Sequence, residues 1–83
     1  MNYKKKLKQK LIDHLEAKRL GIDTIPSFIR SMRICFTINS QMNHLEINSH
    51  LKSFGWNDIE VDHHTLLLST AFFKAEGNLR NQT

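Results

Sequence analysis

Apolar residues in this chain recur every three or four positions and fall into four segments punctuated by glycine, proline and asparagine. The first segment predicts a helix over 4–20, with Leu7, Leu11 and Leu15 one turn apart as its stripe and Gly21 with Ile22 as its stop. The second, over 25–38, opens on Pro26, which suits a first turn, with Asp23 or Thr24 as cap. Its Ile25, Phe28, Ile29, Met32, Cys35 and Phe36 fall within about 120° of arc, a continuous core face. Ile34 and Ile38 lie nearly opposite that face and are candidates for a second contact. The third segment, over 41–54, carries Ile47, Leu51 and Phe54, with His44 on the same line. Phe54-Gly55-Trp56 reads as a Schellman stop with Trp56 turned back on Leu51.

The fourth segment predicts a helix over 58–76, opened by a loose capping box of Asn57 and Glu60 and ended by Gly77. Ile59, Leu66 and Phe73 recur every seven residues on one side, while Val61, Leu68, Phe72 and Ala75 line the other. A helix apolar on two sides is buried on two sides, so this one is either central to the bundle or part of a dimer interface. The run Asp58 to Asp62 also alternates as a short strand would, which leaves strand or helix open there. The expected fold is all-α, a single small bundle of about four short helices over 7–77. Residues 1–6 are expected as a flexible basic arm and 78–83 as a frayed tail.

Composition agrees with one globular domain: 83 residues, 40% hydrophobic and 24% charged. A domain this small buries about 60–65% of its unfolded surface, so its stability margin is thin. The single cysteine, Cys35, cannot form an internal disulfide, which fits a reducing, cytoplasmic setting. No apolar run approaches the roughly 20 residues of a membrane span. Asp13, His14 and Glu16 fall where the apolar region of a signal peptide would lie. Charge changes the picture more. Residues 1–20 hold seven bases and two acids, a net of +5, whereas the rest of the chain carries −1. Only the basic end hints electrostatically at a partner.

That end offers Lys4, Lys5, Lys6, Lys8 and Lys10 as candidate contacts to nucleic acid. Five engaged lysines would give a log–log salt slope of about −4.5 on duplex DNA. The cluster has no arginine for bidentate recognition, and only Tyr3 for base stacking. The third and fourth helices, joined at Gly55, resemble a helix-turn-helix over 43–75, with Val61 six residues after the glycine. Asp58, Glu60 and Asp62 open its second helix, placing carboxylates where phosphates would lie.

Catalytic and metal chemistry find less support. His63 and His64 are adjacent and diverge by about 100° on a helix. His44 and His50, six residues apart, miss the spacing that places two imidazoles together. Asp62-His63-His64 matches the signature of the DHH phosphoesterases, but those are much longer α/β enzymes with further acidic motifs that this chain lacks. Cys35 lies on an apolar face, and there is neither a glycine-rich phosphate loop nor a nucleophile with assignable His and acid partners. The expectation is a non-catalytic protein–protein interaction or regulatory module without cofactor, metal or membrane span, with a homodimer as its default assembly. Ile34, Ile38, Val61, Leu68 and Phe72 are the interface candidates. The alternative is a nucleic-acid-binding accessory protein that uses the lysine arm.

Overall fold

The computed structural model describes residues 2–77 and contains four helices: α1 (Tyr3–Ala17), α2 (Ile25–Ile38), α3 (His44–Ser53) and α4 (His63–Glu76). No strand occurs among the described residues, so the chain is all-α as its periodicity predicts. The expected tail, 78–83, lies outside them. The core forms from Leu7, Leu11 and Leu15 of α1, all six predicted residues of α2, and Ile47 and Leu51 of α3. Residues 3–6, expected within a flexible arm, make the first turn of α1, where the Asn2 side chain accepts the Lys5 N–H.

Helix ends depart from expectation in ways that have local causes. The first helix stops at Ala17, not near Leu20, and Arg19 takes the left-handed conformation at φ +71°. The Leu20 N–H then reaches Leu15 O at 3.1 Å and the Arg19 N–H reaches Glu16 O at 2.9 Å, a Schellman pair closed two residues before Gly21. Left-handed backbone costs a non-glycine residue about 1–2 kcal/mol. Leu20 offsets it by packing on the core, while Ile22, the expected apolar contact, remains exposed. In α3 the start moves to His44. Asn43 and Glu46 form a reciprocal capping box, with the Glu46 N–H donating to Asn43 at 2.9 Å and the Asn43 N–H to Glu46 at 3.0 Å. Asn39 to Met42 is a turn instead of helix, and Met42 drops into the core.

The Schellman stop at Gly55 forms as predicted: φ is +100°, and the Trp56 N–H donates to Leu51 O at 2.9 Å. The Trp56 ring, however, crosses to α2. It meets Phe28 edge-on at 5.2 Å, and its indole N–H donates to Ser31 at 2.9 Å. Phe54, expected in the α3 stripe, is the C-cap and is half-exposed.

The last helix begins at His63, not at 58, because its cap is Asp62: the Asp62 carboxylate accepts the Thr65 N–H at 2.8 Å. Residues 58–62 are therefore neither helix nor strand. Their alternation has a different use, burying Val61 and half-burying Ile59 while Asp58, Glu60 and Asp62 face water. Asn48 takes the place of a partner strand. Its amide donates to Val61 O at 2.9 Å and accepts the Val61 N–H at 2.8 Å.

With its true start known, α4 has one broad buried face instead of two stripes. Thr65 and Ser69 occupy the middle of that face, Phe73 and Leu66 one flank, Phe72 and Leu68 the other. Polar residues at its centre made the flanks look like separate surfaces. The face lies against α1 through Thr65 and against α2 through the Phe36–Phe73 ring pair at 5.1 Å. Helix α2 contacts α1, α3 and α4.

The Ser69 hydroxyl is buried without a hydrogen-bond partner, a cost of about 1–3 kcal/mol. Replacing Ser69 with Ala should therefore leave stability unchanged or raise it by about 1 kcal/mol in urea denaturation, against the usual loss on core substitution. Asn48→Ala should cost about 2 kcal/mol in the same assay, since it orphans both backbone groups of Val61, and Asn48→Asp should recover only the half that accepts.

Candidate functional site

Antiparallel packing of α1 and α4 creates two chemically distinct ends. At one end, Lys18 near the close of α1 pairs with Asp62 at the start of α4, 2.9 Å apart. At the other, Lys4 and Lys74 line the same groove.

The first end holds the most connected polar cluster in the described chain. Asp62 accepts both the backbone N–H and the hydroxyl of Thr65, each at 2.8 Å. The Thr65 backbone N–H, with the Lys18 ammonium and the Thr65 hydroxyl, holds the Asp62 carboxyl well below the usual carboxylate range. An ionised carboxylate only accepts, so Thr65 spends its proton on Asp62 and its oxygen must accept from His14 Nε2, 2.6 Å away. The chain of donors runs His14 to Thr65 to Asp62. Activation of Thr65 as a nucleophile would need the opposite polarity, with His14 taking the hydroxyl proton, and Thr65 is only 1% exposed. The arrangement caps α4 and ties it to α1.

His64 stands edge-on to His14, with ring centroids 4.7 Å apart. Burial first, then His64, pushes the His14 pKa below its ordinary 6.5, with Lys18 adding to the effect and Asp62 opposing it. Sequence reasoning saw Asp62 and His64 but not His14, Thr65 or Lys18, because their meeting depends on which helices pack antiparallel. His44 and His50 lie on α3, outside this cluster. Among the described residues no group of three or more His, Cys, Asp or Glu is placed to hold a metal ion.

The opposite end is basic. Lys4, Lys5, Lys6, Lys8 and Lys10 are all exposed and all carried on α1. Two other helices add to them: Lys74 from α4, and Arg30 and Arg33 from α2. Arg33 is occupied, since Glu76 binds its guanidinium at 3.1 and 3.0 Å and the Phe73 ring lies 5.3 Å beneath it.

Comparison with known protein families, curated proteins and solved structures finds no match to this chain. Its surfaces must speak for themselves.

Of the interface candidates, Val61 and Phe72 are each 1% exposed and belong to the core, and Leu68 is half-buried against it. Ile34 and Ile38 are on the surface, 51% and 60% exposed, one turn apart on the back of α2. The helix-turn-helix likeness meets a long connection: residues 54–62 separate α3 from α4, where that motif uses three or four, and α4 spends its apolar face on α1 and α2. Cys35 is fully buried, and burial pushes its thiol pKa up, away from reactivity. No helix among the described residues is long and apolar enough to cross a membrane.

The His14 environment fixes a pH dependence. A lowered folded-state pKa means that the unfolded chain binds a proton the folded chain resists, so this contribution is whole above pH 6.5 and declines as pH falls below it. Thermal melts between pH 7.5 and 5 should show falling stability, and His14→Gln, which keeps a donor toward Thr65, should flatten the decline. Asp62 acts lower, its contribution waning as pH drops beneath the ordinary 3.8.

Proposed function

We propose that this protein is a small, non-catalytic interaction module of a reducing, cytoplasmic setting, binding a protein partner through the back of α2. A second copy of the chain is the simplest such partner, because self-complementary two-fold contacts are the commonest assembly. The observation that carries this reading is the pair Ile34 and Ile38. They are apolar and exposed, and they lie across the helix from the core face, so they take no part in the core of the described residues. Val61 and Phe72 are spent on the core, which favours α2 over α4 as the contact face.

Magnitude sets the expected strength. Burying one isoleucine contributes about 1.5–3 kcal/mol, and association costs about 4–15 kcal/mol. Two isoleucines and their rim therefore support a transient contact in the micromolar to millimolar range, not an obligate dimer. A second reading, an accessory protein that binds nucleic acid, is favoured by the convergence of Lys4, Lys8, Arg30 and Lys74 at one end of the molecule.

Light scattering should show the mass rising with concentration from 9.7 kDa toward twice that value. Ile34→Glu combined with Ile38→Glu should hold the protein at the monomer mass with an unchanged helical circular dichroism spectrum. A wild-type chain that stays monomeric up to about 1 mM removes self-association through α2.

A further inference from the structure

The lysines of α1 do not form one stripe. At about 100° per residue, Lys5, Lys6 and Lys10 turn away from Lys4 and Lys8, which project from the same side one turn apart. From that side α1 lines two grooves, one beside Lys4 and one beside Lys8. Lys4 borders a groove of about 770 Å³ against the end of α4, with Tyr3, Lys74 and the small residues Ala71 and Ala75. Lys8 borders a second, of about 280 Å³, against α2, with Arg30 and the Glu76-bound Arg33. Lys4, Lys8, Arg30 and Lys74 are exposed and make no ion pair among the described residues. Tyr3 lines the first groove with Lys4 and Lys74, and 68% of its surface is open.

We propose that this three-helix basic end is a binding surface for single-stranded nucleic acid, with phosphates following Lys74, Lys4, Lys8 and Arg30 and a base stacked on Tyr3. The inference rests on the second reading above and is independent of Ile34 and Ile38. A strand of spaced charges fits cations strung along two grooves, and an exposed ring beside them is what an unpaired base requires. A duplex would instead need a helix offering base-reading side chains to the major groove. Here α1 presents lysines that radiate about its axis, and α4 is committed to the core. A membrane calls for a protruding apolar face, whereas only the small side chains of Ala71 and Ala75 accompany Lys4 and Lys74 here.

The test is fluorescence anisotropy of a labelled single-stranded RNA of about ten nucleotides, starting at about 50 mM salt. Four engaged cations give a log–log salt slope of about −2.8, and Arg30→Gln with Lys74→Gln should bring it to about −1.4. Tyr3→Ala should weaken binding by about 5- to 150-fold while leaving the slope in place, and Tyr3→Phe should retain affinity. All of these positions are exposed, and circular dichroism verifies that each variant is folded. Binding that ignores Arg30, Lys74 and Tyr3 but is lost with Lys5→Gln, Lys6→Gln and Lys10→Gln overturns this surface while sparing nucleic-acid binding itself. No binding to RNA or DNA at that salt overturns both. Equal affinity for a duplex, or tighter binding to phosphatidylserine vesicles or to polyglutamate than to the RNA, also overturns the proposal.

Discussion

How closely α1 and α4 can lie together decides most of this architecture, and the residues that set the distance are the small polar ones at the centre of α4's buried face. Thr65 and Ser69 are one turn apart, and both are almost completely buried. A leucine in place of Thr65, which meets His14, would hold α1 off. The two hydroxyls are the cost of proximity, roughly 1–3 kcal/mol each if unpaired. Thr65 avoids it by bonding both ways, to Asp62 and to His14, while Ser69 has no partner. Asp62 thereby does three things with one carboxylate. It caps α4, orients Thr65 toward α1, and meets Lys18 as the ion pair that fixes the antiparallel register. The ion pair is half-exposed, so its own contribution is small. The cap and the buried hydroxyl are where the energy lies.

Once that pair is set, α2 closes the domain by touching every other helix. Its ring contacts run to Phe73 on α4 and to Trp56 beyond α3. Arg33 adds a polar latch, a bidentate pair with Glu76 laid over Phe73. Glu76 stands near the C-terminal end of α4, the unfavourable end of the helix dipole for an acid. A guanidinium held over the Phe72 and Phe73 rings compensates, so a locally poor choice becomes a tertiary contact. The same logic explains Asn48. A nine-residue connection would be expensive to order by itself, yet two hydrogen bonds from one side chain fix its only deeply buried residue, Val61.

The sequence made the apolar stripes legible because each depends only on helical spacing, and Leu7, Leu11, Leu15 and the six residues of α2 are buried as that spacing requires. Helix stops carried by glycine were legible for the same local reason. What escaped was chosen by competition between local signals. Asn57 and Glu60 have the spacing of a capping box, but Asn43 with Glu46 forms the real one, and Asp62 starts α4. Both choices are settled by where Val61 must go. At the first stop, Arg19 beats Gly21 because Leu20 has a core to reach and Ile22 does not. The His14 cluster and the contribution of Arg30 and Lys74 to the basic end had no local signature at all. They arise only from the order in which the helices pack.

Charge at the start of α1 is a feature that the fold does not explain. The first turn of α1 contains no acidic residue, so Lys4, Lys5 and Lys6 face the positive end of the helix dipole uncompensated. Each misplaced charge costs about 0.3–1 kcal/mol at low salt. Packing brings Lys74 into the same groove as Lys4, which adds like-charge repulsion to the penalty. Meanwhile Asp58, Glu60 and Asp62 gather at the opposite end of α4, where they relieve none of it. A domain of this size has few kcal/mol to lose. Three of the four helices carry a side-chain N-cap and most core positions are filled, so lysines crowded at the wrong end of the α1 dipole fit the negatively charged partner proposed above better than the needs of folding.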